Sequence, residues 1–169
     1  MFDVVLVTPE IPNNTGNIGR TCVATGCSLH LVHPIAFDIS EKACRRAGLD
    51  YWPRLRLVEH PSWGEYIESP PPRRRWLFTT KAPRLVFDAD LRPGDHLVFG
   101  SETRGLPDST LAAHADSLLR LPMVPGERSL NLATAVCAVV YEGIRQALAR
   151  RDPEAEVFRA TDFRTSISR

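Results

Sequence analysis

Short runs of β-branched and other apolar residues recur along the chain, separated by stretches in which apolar positions return every three or four residues. Residues 2–8, 28–33, 55–60, 76–80, 96–100 and 117–123 have the length and composition of strands. Between them, residues 17–25 and 40–47 predict helices, the second opened by Ser40 as cap and closed by Gly48. Residues 61–68 predict a third, with Pro61 in its first turn. The longest periodic stretch, residues 130–150, puts Leu132, Val136, Val139, Val140, Gly143 and Ile144 on one face, which protein must cover. Strands alternating with helices predict an α/β fold, a mostly parallel six-stranded sheet with helices on both faces.

The chain has 169 residues, enough for one core, and the periodic pattern places a single domain over residues 1–150. Residues 151–169 read as a polar, loosely held tail, and the proline- and arginine-rich residues 69–75 as a solvated loop inside the domain. With 43% hydrophobic and 24% charged residues, and no apolar run near the roughly 20 a membrane helix needs, no membrane partner is expected. The first residues lack the basic start and cleavage site of a signal peptide, so the expected location is cytoplasmic. Cys22, Cys27, Cys44 and Cys137 form no C-x-x-C pair and have no histidine at ligand spacing, so they read as small hydrophobes and no metal is expected. A net charge of +1 excludes nucleic-acid binding through one continuous basic face; any RNA contact must be local, and DNA is not an expected partner.

Three segments carry candidate chemistry. Residues 9–20, PEIPNNTGNIGR, follow the first strand at the strand end where open α/β sheets bind ligands, and Arg20 offers one fixed positive charge near the expected helix start. Residues 97–107, LVFGSETRGLP, run from a strand into a loop bounded by Gly100 and Gly105, which admit close backbone approach to a ligand, with Glu102 as an acceptor. The loop matches neither G-x-G-x-x-G nor G-x-x-x-x-G-K-[ST], so it suits an adenosine-type ligand better than a phosphorylated nucleotide. Residues 121–131, LPMVPGERSLN, lead into the long helix, with Ser129 as its expected cap and the Asn131 amide facing a ligand between neighbouring loops.

In order and spacing these segments resemble the SPOUT methyltransferases, specifically the branch that methylates ribose 2′-hydroxyls of RNA, over about residues 2–150. The first matches through Asn14, Gly16, Asn17 and Arg20, the second through Gly100, Glu102, Arg104 and Gly105, the third through Pro122, Met123, Ser129, Leu130 and Asn131. Residues 45–52, RRAGLDYW, and the lack of an added RNA-binding domain resemble bacterial members that methylate the wobble nucleotide, cytidine or modified uridine, of leucine transfer RNAs. Ala133 and Thr134 depart from the family, which more often has Ser and Asn there.

The resemblance implies a deep trefoil knot in the C-terminal part, which no propensity argument would propose. It implies a homodimer in which the first segment of one subunit approaches the cofactor loops of the other. The implied cofactor is S-adenosylmethionine, leaving as S-adenosylhomocysteine, near Phe78, Thr80, Gly100, Glu102, Gly105, Leu121, Met123, Ser129 and Asn131. Arg20 takes the catalytic role, with Tyr141 as second candidate, and Asn14, Asn17, Arg20, Arg45 and Arg46 are expected to meet transfer RNA. Alternatives within the class are another transfer RNA position or ribosomal RNA. A catalytically silent RNA-binding module is the alternative outside it, and a nicotinamide-dependent oxidoreductase would need the glycine fingerprint that is missing.

Overall fold

The computed structural model describes residues 1–159 except Ala47 and Pro71, and leaves out the side chains of Glu41 and Arg45. All six expected strands are present, each shorter than expected and β4 starting one residue earlier: β1 Asp3–Val7, β2 Ser28–Val32, β3 Leu57–His60, β4 Arg75–Phe78, β5 His96–Phe99 and β6 Leu118–Leu119. They form one sheet in the order β3-β2-β1-β5-β4-β6, and every neighbouring pair is parallel. Because alternate residues face opposite sides, Val4 and Leu6 join one core while Val5 and Val7 join another. The helices α1 Pro12–Thr25 and α5 Leu132–Arg150 cover the first face through Ile18, Cys22, Val136, Val139, Val140 and Ile144. On the second face lie α3 Trp63–Glu68 and α4 Asp108–Ala113, through Tyr66 and Leu111. A sheet covered on both sides needs strands that are apolar throughout, which is why they stood out in the sequence.

Helix starts depart from expectation. α1 begins at Pro12, five residues before the expected 17, and its cap position Ile11 has no side-chain cap. α5 begins at Leu132 and is capped by Asn131, whose Oδ1 accepts from the Thr134 N–H at 3.2 Å, so Ser129 is not the cap. α3 is capped by Ser62, which leaves Pro61 outside the helix. Ser40 does cap α2 Glu41–Arg46, accepting from Ala43 N–H at 3.3 Å.

By length and mean hydropathy α5 matches a membrane span, contrary to the expectation that no such run exists, yet its apolar side is buried on the sheet. It lies so close to β1 that a Cβ on Gly143 would sit 2.5 Å from the Phe2 ring. Cys22, Cys27 and Cys44 are buried, and burial pushes their thiols up. The tail is not loose as far as it is described. Pro153–Phe158 form a 3-10 turn with Ala155 fully buried, and Arg159 donates to the Leu148 carbonyl at 2.7 Å. Residues 160–169 lie outside the described residues.

The arginine-rich loop is also anchored, because Arg75 opens β4 and Arg74 pairs with the fully buried Asp95 at 3.1 Å. The Asp95 carboxylate further accepts from the Trp76 indole and the Arg92 N–H, both at 2.9 Å. Asp95→Ala strands these donors, each costing about 1–3 kcal/mol when buried and unpaired, so urea unfolding should show a loss of ~2–5 kcal/mol.

Candidate active site

β1 and β5 are neighbours from which the sheet is built outward in opposite directions, so the gap at their carboxyl ends is a topological switch point. The chain leaves β1 through Thr8, held at φ 49°, a conformation rare for β-branched residues. It then enters α1, and Glu102, from the loop after β5, holds the two residues that lead into that helix. Its carboxylate accepts from the Glu10 N–H at 2.8 Å, the Ile11 N–H at 3.3 Å and the Asn14 Nδ2 at 3.0 Å. A negative group is favoured there by the helix dipole as well, by ~0.3–1 kcal/mol. The exchange is reciprocal, since the Glu10 carboxylate accepts from Thr103 N–H at 3.1 Å and Thr103 Oγ1 at 2.8 Å.

Asn14 extends the connection. Its Oδ1 accepts from Asn131 Nδ2 at 2.9 Å, and Asn131 in turn caps α5. One chain of hydrogen bonds, Glu102 to Asn14 to Asn131 to Thr134, therefore ties the three sequence segments together.

These loops and the end of β4 enclose a cavity of about 740 Å³, a volume suited to a nucleoside-sized ligand. All nine residues expected at the cofactor line it: Phe78, Thr80, Gly100, Glu102, Gly105, Leu121, Met123, Ser129 and Asn131. A Cβ on Gly100 would lie 2.1 Å from the Gly105 carbonyl carbon and 2.2 Å from the Leu106 nitrogen, so this glycine lets the loop fold closely onto itself. Glu102 and Asn131 hold the walls together. Asn14, expected to meet RNA, is buried with both polar atoms of its amide engaged. Not singled out from sequence were Glu10, Leu106 and Arg128; the last two line the cavity, and Glu10's signal was its place in the first segment.

Arg20 and Tyr141 do not line the cavity of their own chain. With α1 starting at Pro12, Arg20 sits in mid-helix rather than the first turn, six residues beyond Asn14 and so about 240° around the axis. Its guanidinium lies 4.4 Å from the Tyr51 ring centroid and 3.8 Å from Asp50, an exposed pair worth little. Tyr51 is itself fixed by donating to the Gly16 carbonyl, and burial pushes its phenol up against the opposing pull of Arg20. Arg20 thus has a firm prop and remains 60% exposed. Tyr141 is 54% exposed on α5, and Asn17 and Arg46 are exposed. The Arg45 side chain lies outside the described residues.

A parallel α/β sheet with one nucleoside-sized crevice at its switch point matches a known class: residues 1–141 fit the SpoU rRNA Methylase family, and the chain belongs to it. More particularly, it is 47% identical over 147 residues to a tRNA (cytidine(34)-2'-O)-methyltransferase from Saccharophagus degradans, covering 86% of this chain and 96% of that one. It is 46% identical to the protein of that name from Escherichia coli K12, covering 86% and 94%. A structure solved for the 2-OH methylation of C/U34 on tRNA superposes with a TM-score of 0.81 at 43% identity, over 89% of this chain and 98% of that one. The SpoU methyltransferase AviRb from Streptomyces viridochromogenes, in complex with AdoMet, gives 0.73 at 28% identity, over 87% and 60%.

Gly100→Ala should displace the Gly105–Leu106 backbone while leaving the buried sheet intact. Calorimetry with S-adenosylmethionine should show binding weakened at least about tenfold, ~1.4 kcal/mol, with an unchanged far-UV spectrum.

Proposed function

We propose that this protein methylates the ribose 2′-hydroxyl of nucleotide 34 of transfer RNAs, leucine isoacceptors among them, using S-adenosylmethionine and acting as a cytoplasmic homodimer. The observation that carries this reading is the convergence of the three sequence segments on one crevice, in a chain 46–47% identical to proteins named for that reaction. The residues present fit the cofactor. Phe78, Leu106, Leu121 and Met123 offer an apolar surface for an adenine, and Arg104 and Arg128 offer positive charge for a carboxylate. When bound, it supplies a methyl group carried on a sulfonium.

Arg20 holds the phosphate beside the target ribose and stabilises the alkoxide that develops on the hydroxyl oxygen. It is not the base, since a guanidinium stays protonated to above about pH 12. Because Arg20 lies outside its own cavity, a second subunit completes the site. Exposed Ile11 at the start of α1, and exposed Tyr141 and Ala138 one turn apart on α5, support a subunit contact through these elements. The knotted path belongs to the same proposal. It is supported by the grip of α5 on the crossover from β4 to β5: Leu91 N–H donates to Gln146 Oε1 at 2.9 Å, and Arg150 Nη2 donates to the Leu91 carbonyl at 2.6 Å.

Mapping 2′-O-methylation in transfer RNA with and without the protein should show the mark at nucleotide 34, and a mark elsewhere overturns the target. Arg20→Ala should cut turnover on the order of 10²-fold at saturating RNA while leaving cofactor affinity unchanged. Mixed with Gly100→Ala subunits it should regain part of the activity. No recovery in verified heterodimers contradicts shared sites.

A further inference from the structure

At the ends of β1 and β5 away from the crevice, five polar side chains from five elements meet on the face covered by α3. Asp3 and His96 occupy the first positions of β1 and β5 and are paired in register. His30 lies on β2, His60 ends β3 and Tyr66 comes from α3. Strand alternation puts Asp3 on the side of Val5 and Val7, His30 on the side of Val32 and His96 on the side of Val98, all facing Tyr66.

His30 Nε2 is 3.5 Å from one oxygen of Asp3, and His96 Nε2 is 3.6 Å from the other. One ligating atom from each of the three residues lies within 4.8 Å of the other two. The two His–Asp spacings are longer than the about 2.7–3.2 Å of an N–H···O hydrogen bond. They approach instead the about 3.3–3.4 Å that separates neighbouring ligands of a tetrahedral ion with bonds of about 2.0–2.1 Å.

The remaining ring nitrogens are at hydrogen-bond distance from partners. His30 Nδ1 is 3.0 Å from His60 Nε2, and His96 Nδ1 is 2.9 Å from the Tyr66 hydroxyl oxygen. When each Nδ1 carries the proton and donates, both Nε2 lone pairs lie beside the Asp3 carboxylate, an arrangement that a cation relieves. Metal-binding histidines are commonly held in this way, by a hydrogen bond at the nitrogen opposite the ion. The His30 and His60 rings also stack at 5.2 Å, which fixes the His30 ring plane.

We propose that Asp3, His30 and His96 bind a divalent transition metal of the zinc type, with a fourth position for water, joining β1, β2 and β5. Two imidazoles and one carboxylate suit zinc or cobalt better than magnesium or calcium, which take oxygen ligands. Side-chain exposures of 27% for Asp3, 13% for His30 and 12% for His96 leave a route for entry. Asp3 and His96 lie at the opposite strand ends from the cavity, His30 at the middle of β2, and none of the three lines it, so the metal stabilises the sheet and takes no part in methyl transfer. A ligand that binds only the folded state raises stability by mass action.

The test uses untagged, chelator-treated full-length protein titrated with cobalt(II). The expected result is visible d–d absorption saturating at one ion per chain, displaced by zinc, together with a zinc-dependent rise in Tm. His30→Gln, His96→Gln and Asp3→Asn should each weaken cobalt affinity at least about tenfold. Tyr66→Phe should weaken it by about tenfold with the stoichiometry kept, as loss of an outer hydrogen bond does. His33→Gln, at a histidine paired with Glu59 outside the set, should leave it unchanged. Absence of both the absorption and the zinc effect in the wild-type protein overturns the proposal, as does a cobalt spectrum that survives in both histidine ligand variants.

Discussion

The crevice depends on the side-chain amide of Asn14. Its nitrogen donates to Glu102 and its oxygen accepts from Asn131, so a single buried residue joins the start of α1 to the loop after β5 and to the start of α5. Glu10, Glu102 and Thr103 also join the first two walls, whereas the start of α5 is tied to them through Asn14. A buried amide with both ends satisfied is directional: it fixes distance and orientation where apolar packing fixes neither. The parallel sheet brings the loops near one another, and the amide sets how they meet.

Much of the fold was legible because the sheet is buried on both faces. Apolar residues at 4–7, at 29, 31 and 32, and at 97–99 announce strands whichever way they point. The start of α1 was not legible, since Pro12, Asn13, Asn14 and Gly16 read locally as a turn and the group that serves the helix end, Glu102, is remote in the chain. The same reason shifted the start of α5 from Ser129 to Asn131. Local rules favour Ser and Asn alike at a cap, and Asn131 caps the helix while reaching Asn14 with the same side chain.

The site was legible as a set of positions more than as a set of roles. Motif resemblance placed nine residues around one cavity, yet Gly100, Glu102 and Asn131 turn out to shape its walls. Tyr51, which supports Arg20, falls in the run RRAGLDYW that carried part of the resemblance, but no role was assigned to it there. The Asp3, His30 and His96 group had no signal at all, because its members come from three strands and only sheet register unites them. Near-zero net charge fits this economy of contacts, with single arginines placed for single tasks.

The account stands most directly on whether Asn14 and Asn131 act as one unit in forming the crevice. A double-mutant cycle with Asn14→Ala, Asn131→Ala and the pair, read as S-adenosylmethionine affinity by calorimetry, measures this. The helix cap lost with Asn131 is common to both arms and drops out of the coupling. The predicted result is that each single change weakens binding and the double costs ~0.5–3 kcal/mol less than their sum. Losses that add to within ~0.3–0.5 kcal/mol would show that the two residues act separately and would contradict the account.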